Sequence, residues 1–193
     1  LLQTRIDEAL ATFKFVRQRH SREEMLAAAV GVALETGLSA MTFAKVAESL
    51  DTSDRMVVYY FATKDVLLES VVGEIAAGLF GVLGSAIGDV PRTGREILEV
   101  AWPVFATRRN DPVFRLFFEL VGLASVRKEP YGTLASRILR DWAAWLEPRM
   151  SGAPAQRRAS ALAVMAQVDG LLLVRLTLGP RAADDAFRSL KAS

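Results

Sequence analysis

The stretch 42-TFAKVAESLDTSDRMVVYYFATKDVLLESV-71 decides how the rest of the chain is read. Phe43, Val46, Ala47 and Leu50 fall at i, i+3, i+4 and i+7, the apolar stripe of a helix opened by Thr42. Asp51-Thr52-Ser53 then breaks the pattern. A second short helix, predicted over 54–60, turns Val57, Tyr60 and Phe61 inward. Two helices of this size joined by so short a break suggest a helix-turn-helix, whose second helix enters a DNA major groove. That geometry demands a small residue where the helices cross, and Ala47 stands there. It also demands a sharp bend four residues later, often with left-handed backbone. Asp51 occupies that place, and aspartate tolerates the conformation better than most residues.

Composition narrows what can surround this motif. The chain has 193 residues and is 51% hydrophobic, enough for one sizeable domain or a small module joined to a medium one. It has no cysteine, which removes disulfides and thiolate metal sites and points to a reducing compartment. His20 is the only histidine, so a histidine metal site or a Ser-His triad has little to be built from. The net charge is only +2, so DNA binding depends on well-placed rather than abundant charge. Arg5, Asp7, Glu8, Lys14 and Arg17 interrupt the first apolar residues, which is no signal pattern. The run 161-ALAVMAQVDGLLLVRLTLG-179 carries Gln167, Asp169 and Arg175. It is therefore expected to be a buried helix of a soluble fold, with no membrane span.

Almost every segment carries a helical period. Ile6, Leu10, Phe13 and Val16 suggest an extra helix over 4–18. Ser21 and Glu24 form a capping box for a helix ending near Gly37. Thr63 caps a long helix over 64–88, and further helices are predicted at about 93–109, 112–127, 130–147, 155–178 and 181–191. Asp111-Pro112 reads as a cap followed by a first-turn proline. The expected division is an extension over 1–20, a helix-turn-helix domain over 21–65, and a helical domain over 66–193.

From Ser21 to about Val72 the chain resembles the DNA-binding domain of the TetR family of bacterial transcriptional regulators. The matching features are Thr42-Phe43, Val46-Ala47, Ser53, and Tyr60-Phe61 before Thr63-Lys64-Asp65-Val66-Leu67. The resemblance implies an all-α fold: an N-terminal three-helix helix-turn-helix domain joined to a helical C-terminal domain that binds a small ligand and dimerises. The run 168-VDGLLLVRLTLG-179 resembles the dimerisation helix of such proteins. Asp51-Thr52 stand where the family usually has Gly-Val, Val58 replaces a frequent tyrosine, and Tyr59 a frequent histidine. Between Thr42 and Lys64 the cations Lys45, Arg55 and Lys64 are balanced by Glu48, Asp51 and Asp54.

The DNA-binding candidates are Thr42, Lys45, Ser53, Arg55, Met56, Tyr59, Tyr60 and Lys64. Thr42 and Lys64 start helices, where backbone N–H groups assist phosphate contacts. Tyr60 is expected to bury its ring and hold its hydroxyl within reach of a phosphate. Ser53, Arg55, Met56 and Tyr59 are candidates for base edges, Arg55 first because a guanidinium pairs bidentately with guanine. The structural alternative is that Tyr59-Tyr60-Phe61 is a packing knot and Thr63 merely a cap. Arg17, Arg19, His20 and Arg22 form either a DNA-reaching arm or a solvated linker.

In the C-terminal part, Phe80, Trp102, Phe105, Phe114, Phe117, Phe118, Trp142 and Trp145 are candidate walls of an apolar ligand pocket, with Pro103 kinking its helix. An ordinary aromatic core is the alternative. The helix over 155–178 is apolar around most of its circumference. That calls for a second copy, with Leu162, Val168, Leu171 and Leu172 as seam candidates, or for complete burial within one chain. Gly73, Gly78, Gly81, Gly84 and Gly88 in the long helix mark close helix approach or fraying toward the loop at 88–94, or else a linker between the domains that moves on ligand binding.

The expected protein is a homodimeric, cytoplasmic, ligand-responsive repressor. It binds a near-palindromic double-stranded DNA operator and a small, largely apolar effector, with no cofactor, metal or enzymatic activity. The alternative is an all-helical carrier of apolar molecules whose motif no longer meets DNA. A third reading, an enzyme using Asp141 or Glu119 in the aromatic cavity, has no diagnostic spacing behind it.

Overall fold

The helices of the N-terminal third begin where their capping residues stand. In the computed structural model, which describes residues 20–192, Ser21 and Glu24 form the reciprocal capping box of α1 (Arg22–Thr36). The Thr42 hydroxyl accepts from Lys45 N–H at the start of α2 (Phe43–Ser49). Ser53 opens α3 (Asp54–Tyr60) through its extended backbone alone. Thr63 accepts from Val66 N–H at the start of α4 (Lys64–Ile87). The Ser21, Thr42 and Thr63 side chains each satisfy an N–H that the first helical turn leaves without a partner. The helix expected over 4–18, with Arg17 and Arg19, lies outside the described residues.

Ala47 is buried at the α2–α3 crossing, and Asp51 turns the chain at φ 49°, the left-handed bend expected of it. Thr52 N–H closes the turn on the Ala47 carbonyl at 3.0 Å. Met25, Val46, Val57 and Phe61 are wholly buried, together with Leu67, Leu68 and Val71 from the first turns of α4. The expected boundary after residue 65 thus falls inside a helix whose beginning completes the N-terminal core. That core continues into the C-terminal part through Leu116, Leu120, Tyr131 and Leu134.

The remaining helices are α5 (Gly94–Phe105), α6 (Asp111–Ser125), α7 (Tyr131–Leu146, extended by a 3-10 turn over Glu147–Arg149), α8 (Pro154–Leu178) and α9 (Pro180–Ala192). The architecture is all-α; among the described residues the one β-bridge is the isolated pair Arg92–Met150. Helix α8 packs against α5, α6, α7 and α9, while α1 packs against α2, α3, α4 and α6. A second core forms around Leu83, Ile97, Trp102, Phe105, Leu146, Val164 and Leu172.

Three expectations need correction. The helix predicted to 109 ends at Phe105, two residues past Pro103, and the Val104 carbonyl there is taken by the Asn110 side chain at 2.8 Å. Asp111 is not the cap of its helix; Asn110 holds that position. The Asp111 carboxylate instead receives Arg175 of α8 bidentately, at 2.8 and 3.3 Å. Close approach within the chain does not explain Gly73, Gly78 or Gly81 of α4, where a Cβ would meet nothing within 4 Å; at Gly84 a Cβ would stand in ordinary contact with Trp145, at 3.5 Å. Helices α4 and α8 are long and apolar enough to cross a membrane, but in this fold Arg175 of α8 is buried in its ion pair with Asp111.

Candidate nucleic-acid interface and effector cavity

Helix α3 presents Asp54, Arg55, Val58 and Tyr59 outward on one face, with Tyr59 77% exposed. Arg55 and Tyr59 therefore stand where base-edge candidates should. Met56 turns toward the N-terminal core, which leaves it less available to a groove. Val58 was not among the candidates, yet it is exposed one turn from Arg55 and could touch a thymine methyl. Its i+3 spacing from Arg55 was the available signal.

Tyr60 does not match its expected role. Its ring stacks edge-on against Tyr59, and its hydroxyl donates to the His20 carbonyl at 2.8 Å, so the proton meant for a phosphate is already committed. His20 also bonds the Leu50 carbonyl at 3.0 Å through Nε2, and the Arg22 guanidinium lies over the Phe61 ring. Within the described part of the expected arm, His20 and Arg22 fasten the chain to the helix-turn-helix.

The loop between α1 and α2 gathers the remaining positive charge. Lys45 Nζ donates to the Ala40 carbonyl at 2.9 Å and Lys64 Nζ to the Ser39 carbonyl at 3.1 Å. Both ammonium groups are exposed and keep further donors for phosphate. From the other side, Glu119 of α6 accepts from Leu38 N–H (2.8 Å), Ser39 N–H (2.9 Å) and the Ser39 hydroxyl. Burial raises its carboxyl, but these hydrogen bonds outweigh burial and hold it below its ordinary value. Gly37, at φ 90°, is required here: a Cβ would stand 2.8 Å from a Glu119 oxygen. Glu119 thus belongs to this junction and does not line the aromatic cavity. Asp141 is exposed.

A cavity of about 100 Å³ lies between α4, α5, α6, α7 and α8. Of the predicted aromatics, Phe105, Phe114, Phe117 and Trp142 line it. The other four sit elsewhere. Phe80 packs on Trp142 and Trp145, the Arg149 guanidinium covers Trp145, Trp102 donates to Asp184 and stacks on Phe187, and Phe118 packs against Phe117. Two of the lining residues outside the predicted set bear on function: Leu38, from the loop that Glu119 holds, and Asp169, a carboxylate in an otherwise apolar wall. In the sequence Asp169 stands out only as a charge interrupting an apolar run.

The seam candidates divide. Leu162 is 48% exposed, but Val168, Leu171 and Leu172 are buried in the chain's own core, and two of them line the cavity. The outward stripe of α8 is instead Leu162, Ala166, Gly170, Leu173 and Thr177, at helical spacing.

Residues 25–71 match the family model described as bacterial regulatory proteins, tetR family. Comparison with curated proteins gave no match. Among solved structures, the fold is similar to a transcriptional regulator from Rhodococcus sp. Rha1, at TM-score 0.71 and 20% identity, covering 90% of this chain and 95% of that one. It is also similar to the multidrug binding protein EbrR complexed with ethidium (TM-score 0.66, 23% identity, 89% and 96% covered). EbrR complexed with proflavin matches at TM-score 0.62 and 23% identity, with 89% and 98% covered.

Proposed function

The chain carries the DNA-binding domain of the TetR family of bacterial regulatory proteins, and on that premise we propose that it is a dimeric repressor released from its operator by a small ligand in the C-terminal cavity. One observation carries the regulatory part. Helix α6 lines the cavity with Leu116, Phe117 and Leu120, and from the same helix Glu119 grips the loop that leads into α2. Leu38 of that loop is itself a cavity wall. A ligand entering the cavity therefore bears on both ends of the connection.

The cavity is small beside the roughly 300–1,000 Å³ of ordinary ligand sites, so a drug-sized occupant has to part the surrounding helices. The EbrR complexes with proflavin and ethidium support an occupant of that size in this fold. Displacement of α6 draws on Ser39, to whose carbonyl Lys64 is bonded, and so shifts the phosphate-facing cations against α3. DNA affinity falls to the extent that ligand and operator favour different arrangements.

Dimerisation is supported by the composition of α4 and α8. Their most apolar windows are only 28% and 33% buried within one chain, and the Leu162–Leu173 stripe of α8 is left for a second copy. A two-fold dimer would read two half-sites about 34–36 Å apart, or a multiple of that. The test is selection of bound duplexes from a random pool, with and without candidate ligands. Enrichment of an inverted repeat that a ligand abolishes is the expected result. A folded dimer that enriches no sequence under either condition would overturn the reading in favour of a carrier.

A further inference from the structure

Asp169 is the one charged residue among those lining the cavity. Among the described residues it has neither a hydrogen-bond donor nor a cation as partner, and burial alone pushes its carboxyl up to about 6. Its neighbours one turn away on α8 are Met165, Ala166, Leu172 and Leu173, which offer no compensating charge. Six residues further along the same helix, Arg175 shows how this protein treats a buried charge it needs for structure: it is paired bidentately with Asp111. Asp169 has been given no such partner. An unpaired carboxylate in an apolar wall costs stability, and a neutral side chain would remove that cost. At neutral pH it remains mostly ionised and offers a negative charge in a low-dielectric space.

The surrounding rings complete a recognition site. Phe114 stands edge-to-face with Phe105 at 5.2 Å, and Phe105 with Trp142 at 6.1 Å, so three aromatic side chains form one continuous wall. Aromatic faces attract cations, tryptophan most strongly. A metal ion would need several oxygen ligands, and no cluster of metal-ligating side chains occurs among the described residues. A compact, strongly hydrated amine would lose its water to apolar walls. An anion would meet Asp169 with no cation to offset it. The chemistry that fits is a flat, delocalised positive charge on a largely apolar body.

We infer that the cavity selects lipophilic aromatic cations, with Asp169 as counter-charge and Trp142 and Phe105 as the aromatic wall. This rests on the effector role proposed above and adds the charge of the effector to it. The test is calorimetric titration of the DNA-free protein at about pH 8, where Asp169 is ionised. The probes are N-methylacridinium, whose charge is fixed, and acridine, nearly the same shape but neutral.

Wild type should bind the cation at least about tenfold more tightly than acridine. D169N, which keeps the side-chain shape, should lose that preference and bind acridine as before, while D169E should keep part of it. Equal affinity for the two probes in wild type, unchanged cation binding by D169N, or no cation binding at all would overturn the inference. Operator release by each probe, compared between wild type and D169N so that intercalation into the duplex cancels, separates the two proposals. Release by acridine without cation preference leaves the regulator standing and removes the cation selectivity. Asp169-dependent cation binding without operator release does the reverse.

Discussion

Glu119 of the cavity-lining helix α6 and Ser39 of the loop before α2 are joined by two hydrogen bonds across eighty residues of sequence, the backbone one at 2.9 Å. The carboxylate takes a third from Leu38. This contact ties a helix that lines the cavity to the loop that leads into α2. Substituting Glu119→Gln turns one acceptor oxygen into a donor that faces other donors. We expect a loss on the order of 2 kcal/mol in urea unfolding at neutral pH. Because the folded carboxyl lies below its ordinary value, this contribution is present above about pH 4.5 and fades as the pH falls through the folded value. The two proteins should therefore converge in acid. The decisive reading is operator affinity with and without ligand: an unchanged ratio in E119Q would remove Glu119 from the coupling.

Asp169→Asn should act in the opposite direction. Its carboxyl is raised from 3.8 to about 6, so the folded state holds the proton more tightly than the unfolded chain. That favourable term is complete below about pH 4 and is lost as the pH rises through about 6. Wild type then carries a penalty on the order of 2 kcal/mol at neutral pH that D169N lacks. Thermal melts at about pH 7.5 should show the variant to be the more stable protein, with the gap shrinking toward about pH 4. A wild type that is the more stable at both would contradict the burial of an unpaired charge.

Asp111→Asn leaves Arg175, 6% exposed, without its anion. Breaking one side of a buried pair costs about 3 kcal/mol or more, and chemical denaturation measures it. Replacing both residues by apolar side chains of similar volume should recover much of that loss, since the pair's own net contribution is small.

On DNA, Lys64→Ala should weaken binding to all duplexes alike and flatten the salt dependence by about one unit. Arg55→Ala should alter which base is preferred, at about 1–3 kcal/mol. Tyr60→Phe removes the hydroxyl that holds the His20 carbonyl, so its expected effect is a uniform, modest loss through the entry segment. Binding selections on the three variants separate these roles. A uniform loss in R55A would assign Arg55 to the phosphates.

How much of this was legible depended on the range of the interaction. The starts of α1, α2 and α4 could be read because Ser21, Thr42 and Thr63 bond to N–H groups three residues away. Asp51 was legible for the same reason: its bend is a property of the residue and its immediate neighbours. The aromatics were half legible. Their type marks them for burial, but Phe105 and Trp102 are only three residues apart and face different spaces. Which one lines the cavity is settled by the packing of α8 and α9. Val168, Leu171 and Leu172 failed as seam residues because a helix apolar on every side does not show from its own sequence which side its own chain will cover. Asp169 could have been suspected from its lack of a cation one turn away. The Glu119–Ser39 contact could not, since nothing local to either residue points to the other.

The reading face itself is almost free of net attraction for DNA. Arg55 is exposed beside Asp54 and one turn of chain from Asp51, and the motif's three cations are matched by three anions. A surface that displaces few counterions has little hold on duplex of arbitrary sequence. On the proposed function, we expect the protein to leave duplex of arbitrary sequence quickly and to sample again from solution. The corresponding demand is on the operator, which has to retain the protein through shape and base edges with little help from long-range charge.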